Sequence, residues 1–243
     1  MNKLGEDCVI ITDLDGTLID SDNENFDLLM KNLRQYGFDD KIDTILEGLV
    51  RGWDFDDIME KIEMPLEIRK ILEEKVKTDI NNNHYNLLPG VRQTLKLLHD
   101  QGFQLSIVTD NYFDSTLSCL EKADISHYFE PKLIFGSDNF AYQKPSKDVV
   151  NEILKRSRRK FGIIIGNSSK EIAFAKNVNL PIILLENNHL KSLNGSAKKY
   201  YKRIQELGER ESYDKLIKVK TWEEVLSVLL NILIEYKNND VEN

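Results

Sequence analysis

Short, continuously apolar runs rich in β-branched residues recur along the chain: CVIITD (8–13), LSIVTD (105–110), KLIFGS (132–137), GIIIGN (162–167) and PIILL (181–185). Between them lie stretches with apolar positions at helical spacing, such as Val91, Leu95 and Leu98, then Val149, Val150, Ile153 and Leu154. Runs that do not alternate with polar residues suit strands buried on both faces of a parallel sheet, so the pattern predicts a doubly wound α/β core. Ser146 and Asp114 stand where helix N-caps belong, and Gly102 follows the 91–100 helix as a C-terminal stop.

Residues 20–86 break this alternation. Their apolar positions fall at helical spacing throughout: Phe26, Leu29, Met30 and Leu33; Ile42, Ile45, Leu46 and Leu49; Ile58, Met59 and Ile62; Leu72 and Val76. Gly37, the RGW turn at 51–53 and Pro65 punctuate the block. The division that follows is a discontinuous α/β core, 1–19 with 87–243, carrying an α-helical insert at 20–86. Residues 186–216 are polar and rich in Asn, Lys and Glu, longer than a strand connection needs to be. IKVK (217–220) then resumes a strand, Thr221 with Glu224 reads as a capping box, and the tail YKNNDVEN is expected to fray.

Composition narrows the function classes. At 243 residues, 41% hydrophobic and 30% charged, the chain can bury a proper core. A net charge of -8 argues against a nucleic-acid partner; the basic runs KRSRRK (155–160) and KKYYKR (198–203) read as solvated helix faces. Two cysteines without metal-type spacing fit reduced thiols in a cytoplasmic protein. No signal-peptide pattern follows the first residues, and the most apolar segment, VLSVLLNILI (225–234), is too short to span a bilayer, so no membrane role is expected.

A parallel sheet delivers every strand's carboxyl end to one edge, where ligands bind at the point of strand-order reversal. Polar side chains sit at those ends: Asp13 and Asp15 after the first strand, Thr109 and Asn111 after the second, Asn167 and Glu171 after the fourth, with Lys144 in the loop after the third. Gly16 and Thr17 suit a strand leaving into a tight turn. Clustered carboxylates are tolerable there if they hold a divalent cation and face a lysine, and oxygen donors without histidine or thiolate pairs favour Mg2+ over zinc. Taken singly, each residue has a plainer reading: Asp15 caps a turn beside Gly16, Lys144 precedes a helix start at Pro145–Ser146, Glu171 favours a helix dipole, and Asp110 and Asp138 are solvated loop acids.

In order, DLDGTLID, IVTDN, QKPSKD and IIIGNSSKEIAFAKN resemble the four signature motifs of the haloacid dehalogenase superfamily of phosphatases, and PGVRQTLKLLHDQGFQLSIVTDN resembles its second strand with the preceding helix. The likeness runs from residue 8 to about 185 and is nearer the phosphoglycolate-phosphatase branch than the dehalogenases, which use no second acid at the Asp15 position. It implies an aspartyl-phosphate formed on Asp13, acid–base duty for Asp15, phosphoryl contacts from Thr109, Asn111, Gly16 and Thr17, and charge neutralisation by Lys144. It also implies Mg2+ held by Asp13, Asp15, Asn167 and Glu171, and a helical cap at 20–86 where Arg51 would pair a substrate carboxylate or second phosphate and Trp53 would exclude water; the plainer reading of these two, and the favoured one, is a solvated arginine and a tryptophan packing a helix turn. The ligand implied is a small phosphorylated metabolite, and the chain a monomer or homodimer.

The departure is Asn167, where the family has Asp; one formal charge fewer should weaken Mg2+ binding. A phosphomutase remains open on this reading. So does a fold-retaining protein that binds a phosphorylated ligand or partner without turnover, with 186–216 as its partner surface.

Overall fold

The computed structural model describes residues 4–51, 55–142, 144–186, 195–208 and 212–241. Its strands are β1 (Cys8–Thr12), β2 (Ile19–Asp20), β3 (Asn86–Leu87), β4 (Gln104–Val108), β5 (Ile134–Phe135), β6 (Phe161–Gly166), β7 (Ile182–Leu185) and β8 (Leu216–Val219). Its helices are α1 (Asp22–Gln35), α2 (Ile42–Val50), α3 (Phe55–Lys61), α4 (Leu66–Asn82), α5 (Val91–Asp100), α6 (Phe113–Lys122), α7 (Lys147–Ser157), α8 (Ser169–Val178), α9 (Gly195–Gly208) and α10 (Trp222–Val241).

Six strands form one parallel sheet in the order β5-β4-β1-β6-β7-β8. Successive residues of β1 point to opposite faces. Cys8 and Ile10 join the apolar cluster with α5, α6 and α10, while Val9 and Ile11 join the cluster with α7 and α8. Both faces are therefore dry, which is why β1 and β6 carry no polar alternation. Burying each of their isoleucines contributes about 1.5–3 kcal/mol. Strand order reverses at β1: the chain goes first to β4 and β5, then crosses to β6, β7 and β8. The crevice between the carboxyl ends of β1, β4 and β6 follows from that reversal.

The helices α1 to α4 bury a separate cluster that includes Met30, Leu33, Ile45, Leu46, Ile58, Met59, Ile62 and Leu72, matching the helical spacing of the insert. Its entry and exit are hydrogen-bonded together, since β2 pairs antiparallel with β3 and sets Ile19 opposite Leu87.

Several local expectations change. Asp114 lies inside the first turn of α6, whose N-cap is Tyr112, and the Phe113 N–H donates instead to Asp138 Oδ1 at 2.7 Å, so Asp138 is a helix cap from another loop. Ser146 caps α7 and Gly102 takes positive φ, as expected. Thr221 Oγ1 accepts from the Glu224 N–H, but Glu224 reaches back to Lys220 N, one residue before the cap. The tail expected to fray from Tyr236 continues as helix through Val241. The polar stretch 186–216 holds α9, which packs on the insert through Tyr200 and Tyr201. Cys8 and Cys119 are buried free thiols. No helix among the described residues is long and apolar enough to cross a membrane.

Candidate active site

The chain leaves β1 under tight control. Asp13 N–H donates to Ile165 O at 3.1 Å, extending the β1–β6 ladder by one residue and setting the direction of the Asp13 side chain. Leu14 O then accepts from the Leu18 and Ile19 N–H groups, and Gly16 N–H donates to Ile19 O, closing a compact loop. Gly16 has φ +65°, and any Cβ there would collide with the Asn167 amide and come within 2.6 Å of Asp22 Oδ2.

Lys144 Nζ donates to Asp13 Oδ1 at 3.0 Å and to Glu171 Oε1 at 2.8 Å, with all three side chains nearly excluded from solvent. Glu171 is itself anchored: Oε2 accepts from Ser168 N–H (3.0 Å) and Ser168 Oγ (2.6 Å), a complete capping box at the start of α8. Gly166 leaves the room this needs, because a Cβ there would strike the Glu171 side chain. Asp15 is held from the insert side, where Oδ1 accepts from Ser21 Oγ (2.5 Å) and Asn25 Nδ2 (2.9 Å); Tyr85 Oη in turn donates to Asn25 Oδ1. Ser21 is the N-cap of α1 and Asn25 lies in its first turn, so the orientation of Asp15 depends on the insert.

Burial raises Asp13, and Glu171, Asp15 and Asp110 add to the rise against the pull of Lys144. Burial likewise lifts Asp15 to about 6, with the Ser21 hydrogen bond opposing and the Asp22 charge assisting. Burial would lower Lys144, but Asp13, Glu171 and Asp110 outweigh it and hold the ammonium charged. One ammonium shared between two carboxylates does not neutralise the cluster.

Asp13, Asp15, Thr109, Lys144, Asn167 and Glu171 line one cavity of about 180 Å³. Gly16, Thr17, Asn111 and Arg51, the four expected substrate contacts, do not line it. Thr17 is fully buried and its carbonyl accepts from Trp222 Nε1 (2.8 Å); Asn111 Oδ1 accepts from Tyr112 N–H behind the wall; Arg51 is exposed and paired with Glu47 at 2.8 Å. Trp53 and Gln143 lie outside the described residues. Asp110, read from sequence as a solvated loop acid, lines the cavity and pairs with Lys170 at 2.8 Å. Sequence reasoning also missed Asp22, Asn25, Phe26, Leu49, Ser168, Tyr200 and Tyr201 as lining residues. The Ser168–Glu171 spacing was a readable capping-box signal, whereas nothing local marked the two tyrosines.

The donor set suits a hard divalent cation. Among the described residues no group of three His, Cys, Asp or Glu is arranged to hold a metal, so a cation here must also draw on carbonyl and water oxygens. Asp13, the Asp15 carbonyl and the Asn167 amide are available at the sheet edge. Asn167 Nδ2 is buried without a hydrogen-bond partner, and exchanging the amide's N and O positions would turn a carbonyl oxygen into that place. Glu171 fits less well, because both its oxygens are engaged by Lys144 and Ser168.

Comparison with known proteins agrees with this geometry. Residues 10–185 match the family described as haloacid dehalogenase-like hydrolase. A phosphoglycolate phosphatase of Rhodobacter capsulatus is 30% identical over 193 residues, covering 75% of this chain and 86% of that protein. One from Aquifex aeolicus is 31% identical over 186 residues, covering 69% and 79%. The fold is shared with a Lactobacillus plantarum structure provisionally assigned as a phosphoglycolate phosphatase (TM-score 0.68, 13% identity, 93% and 99% covered). It is shared too with YfnB of Bacillus subtilis, solved bound to magnesium (TM-score 0.65, 18% identity, 93% and 99% covered).

Proposed function

The chain belongs to the haloacid dehalogenase-like hydrolases, and from that premise we propose that it hydrolyses a small phosphomonoester through Asp13 with Mg2+ as cofactor. The observation that carries the reading is Lys144, which joins Asp13 to an anchored Glu171 at the cavity floor while Asp15 stands beside them on its own support.

An Asp13 carboxylate oxygen bonds to phosphorus as the ester P–O bond breaks, and Asp15, protonated, gives its proton to the departing alkoxide. Asp15 then takes a proton from a water molecule, whose oxygen bonds to phosphorus and releases inorganic phosphate and the Asp13 carboxylate. A carboxyl lifted to about 6 exchanges protons readily near neutrality, as both steps require. Lys144 offsets charge on Asp13 and on the phosphoryl oxygens, and Thr109 presents its hydroxyl from the end of β4. Asp13, the Asp15 carbonyl and Asn167 would hold Mg2+; when bound, it supplies the positive charge that lets a carboxylate approach a phosphate dianion. We assign Glu171 to positioning Lys144 rather than to the metal.

The cavity is smaller than the roughly 300–1,000 Å³ typical of drug-sized ligands, which favours a small leaving group. The curated relatives point to 2-phosphoglycolate and similar phosphorylated acids. Lys170, at the cavity wall, is the candidate partner for a substrate carboxylate in place of Arg51. A panel of phosphorylated acids, sugars and nucleotides tests this: the wild type with Mg2+ should release free phosphate from at least one small member, and Asp13→Asn should abolish release. Transfer back to substrate without free phosphate would point to a mutase, and no turnover on any member would refute the hydrolytic reading.

A further inference from the structure

We propose that α9 is a specificity wall: Tyr200 and Tyr201, carried in from between β7 and β8, close the side of the cavity that the leaving group must occupy and restrict it to a few atoms. The wall rests on the function proposed above for a phosphoryl group seated at the sheet edge, but not on its turnover.

The cavity is two-sided. Its floor is the polar edge of the sheet, with Asp13, Thr109, Lys144 and Glu171, and a phosphoryl group seated there directs its ester oxygen away from the sheet. What it then faces is Phe26 and Leu49 of the insert together with Tyr200 and Tyr201. The three aromatic rings are continuous: Phe26 lies 5.0 Å from Tyr200 and 6.4 Å from Tyr201 between centroids, and the tyrosines are 5.0 Å from one another.

Packing holds the wall in place. Tyr200 is buried within the apolar cluster of the insert, so α9 completes that cluster although it arises from the α/β core. Tyr201 Oη donates to Asp22 Oδ1 at 2.6 Å, fixing the helix to the first residue of α1. Lys199 pairs with Asp43, and Arg203 with Glu47 at 3.3 Å. These exposed pairs orient the helix more than they stabilise it. A Tyr200 ring packed into the insert cluster and a Tyr201 ring tied to Asp22 do not easily yield to a bulky ester group.

Methylphosphonate and phenylphosphonate, which cannot turn over, separate the wall from catalysis. Titration calorimetry in Mg2+ should show wild type binding methylphosphonate at least about tenfold tighter than phenylphosphonate, and Tyr200→Ala should shift that ratio toward phenylphosphonate by about tenfold or more. Tyr200→Leu, which keeps an apolar side chain in the cluster, serves should the alanine variant fail to fold, and should shift the ratio in the same direction. An unchanged ratio in a folded variant, equal binding of both by wild type, or binding of neither overturns the wall. Wild type that discriminates as expected yet releases no phosphate from any phosphomonoester sustains the wall and sinks the hydrolytic reading.

Discussion

Asn167 carries the main chemical departure in the site. It stands directly after β6 with a buried amide nitrogen that no hydrogen bond satisfies, a few ångströms from Gly16 and Asp22. An amide offers a cation one neutral carbonyl, whereas a carboxylate at the same place adds a formal charge. Asn167→Asp should therefore lower the Mg2+ concentration for half-maximal activity by about tenfold, with a parallel gain in Mg2+ affinity by calorimetry. An unchanged affinity would remove residue 167 from the metal shell. The meeting of Asp13, Asp15, Thr109, Lys144 and Asn167 in one cavity was legible in the sequence, because each follows a strand and a parallel sheet brings strand ends together. Gly16, Thr17, Asn111 and Arg51 lie off the cavity lining, because neighbourhood in sequence does not say which way a side chain faces.

Among the elements, α8 shows local and tertiary demands meeting in one residue. Glu171 closes the capping box with Ser168 and, through its other oxygen, steadies Lys144. Ser168→Ala removes one donor to Glu171 and one acceptor for Lys170 N–H, and should cost about 1 kcal/mol, read from urea unfolding. Because Glu171 also holds Lys144, kcat should fall as well; a stability loss with kcat unchanged would confine the box to a structural role. For α9 the exposed lysines were legible in the sequence but the partner of the tyrosines was not. The lysines of KKYYKR stay at the surface as a basic face, where Lys199 and Arg203 pair with Asp43 and Glu47 of α2, while the tyrosines between them turn inward. Periodicity can announce that a helix has an apolar side, but the partner for that side is a matter of shape and distance.

For the molecule as a whole, the clustered acids set a stability that depends on pH. Asp13 and Asp15 are both raised in the folded state, so above the ordinary aspartate range the folded protein holds protons that the unfolded chain has lost. Stability of the metal-free protein should therefore fall as pH rises between about pH 5.5 and 8. Exposed carboxylates such as Glu47 and Glu152 are lowered and finish titrating below that window, so they do not obscure it. Denaturant unfolding in EDTA should show a shallower fall for Asp13→Asn than for wild type. Identical slopes would mean that Asp13 is not strained by its neighbours.

The amino-acid sequence alone determined the parallel α/β core, the run of helices between its first strand and α5, and the order in which polar side chains follow the strands along one sheet edge. These follow from strand burial, helical period and chain connectivity, which are properties of neighbours in sequence. Only the tertiary structure decided that α9 leaves the core to complete the insert, that Ser21 and Asn25 steady Asp15, and that Glu171 serves Lys144. Those are contacts between distant segments, chosen by which surfaces fit and which buried charges find partners, and no local pattern encodes them.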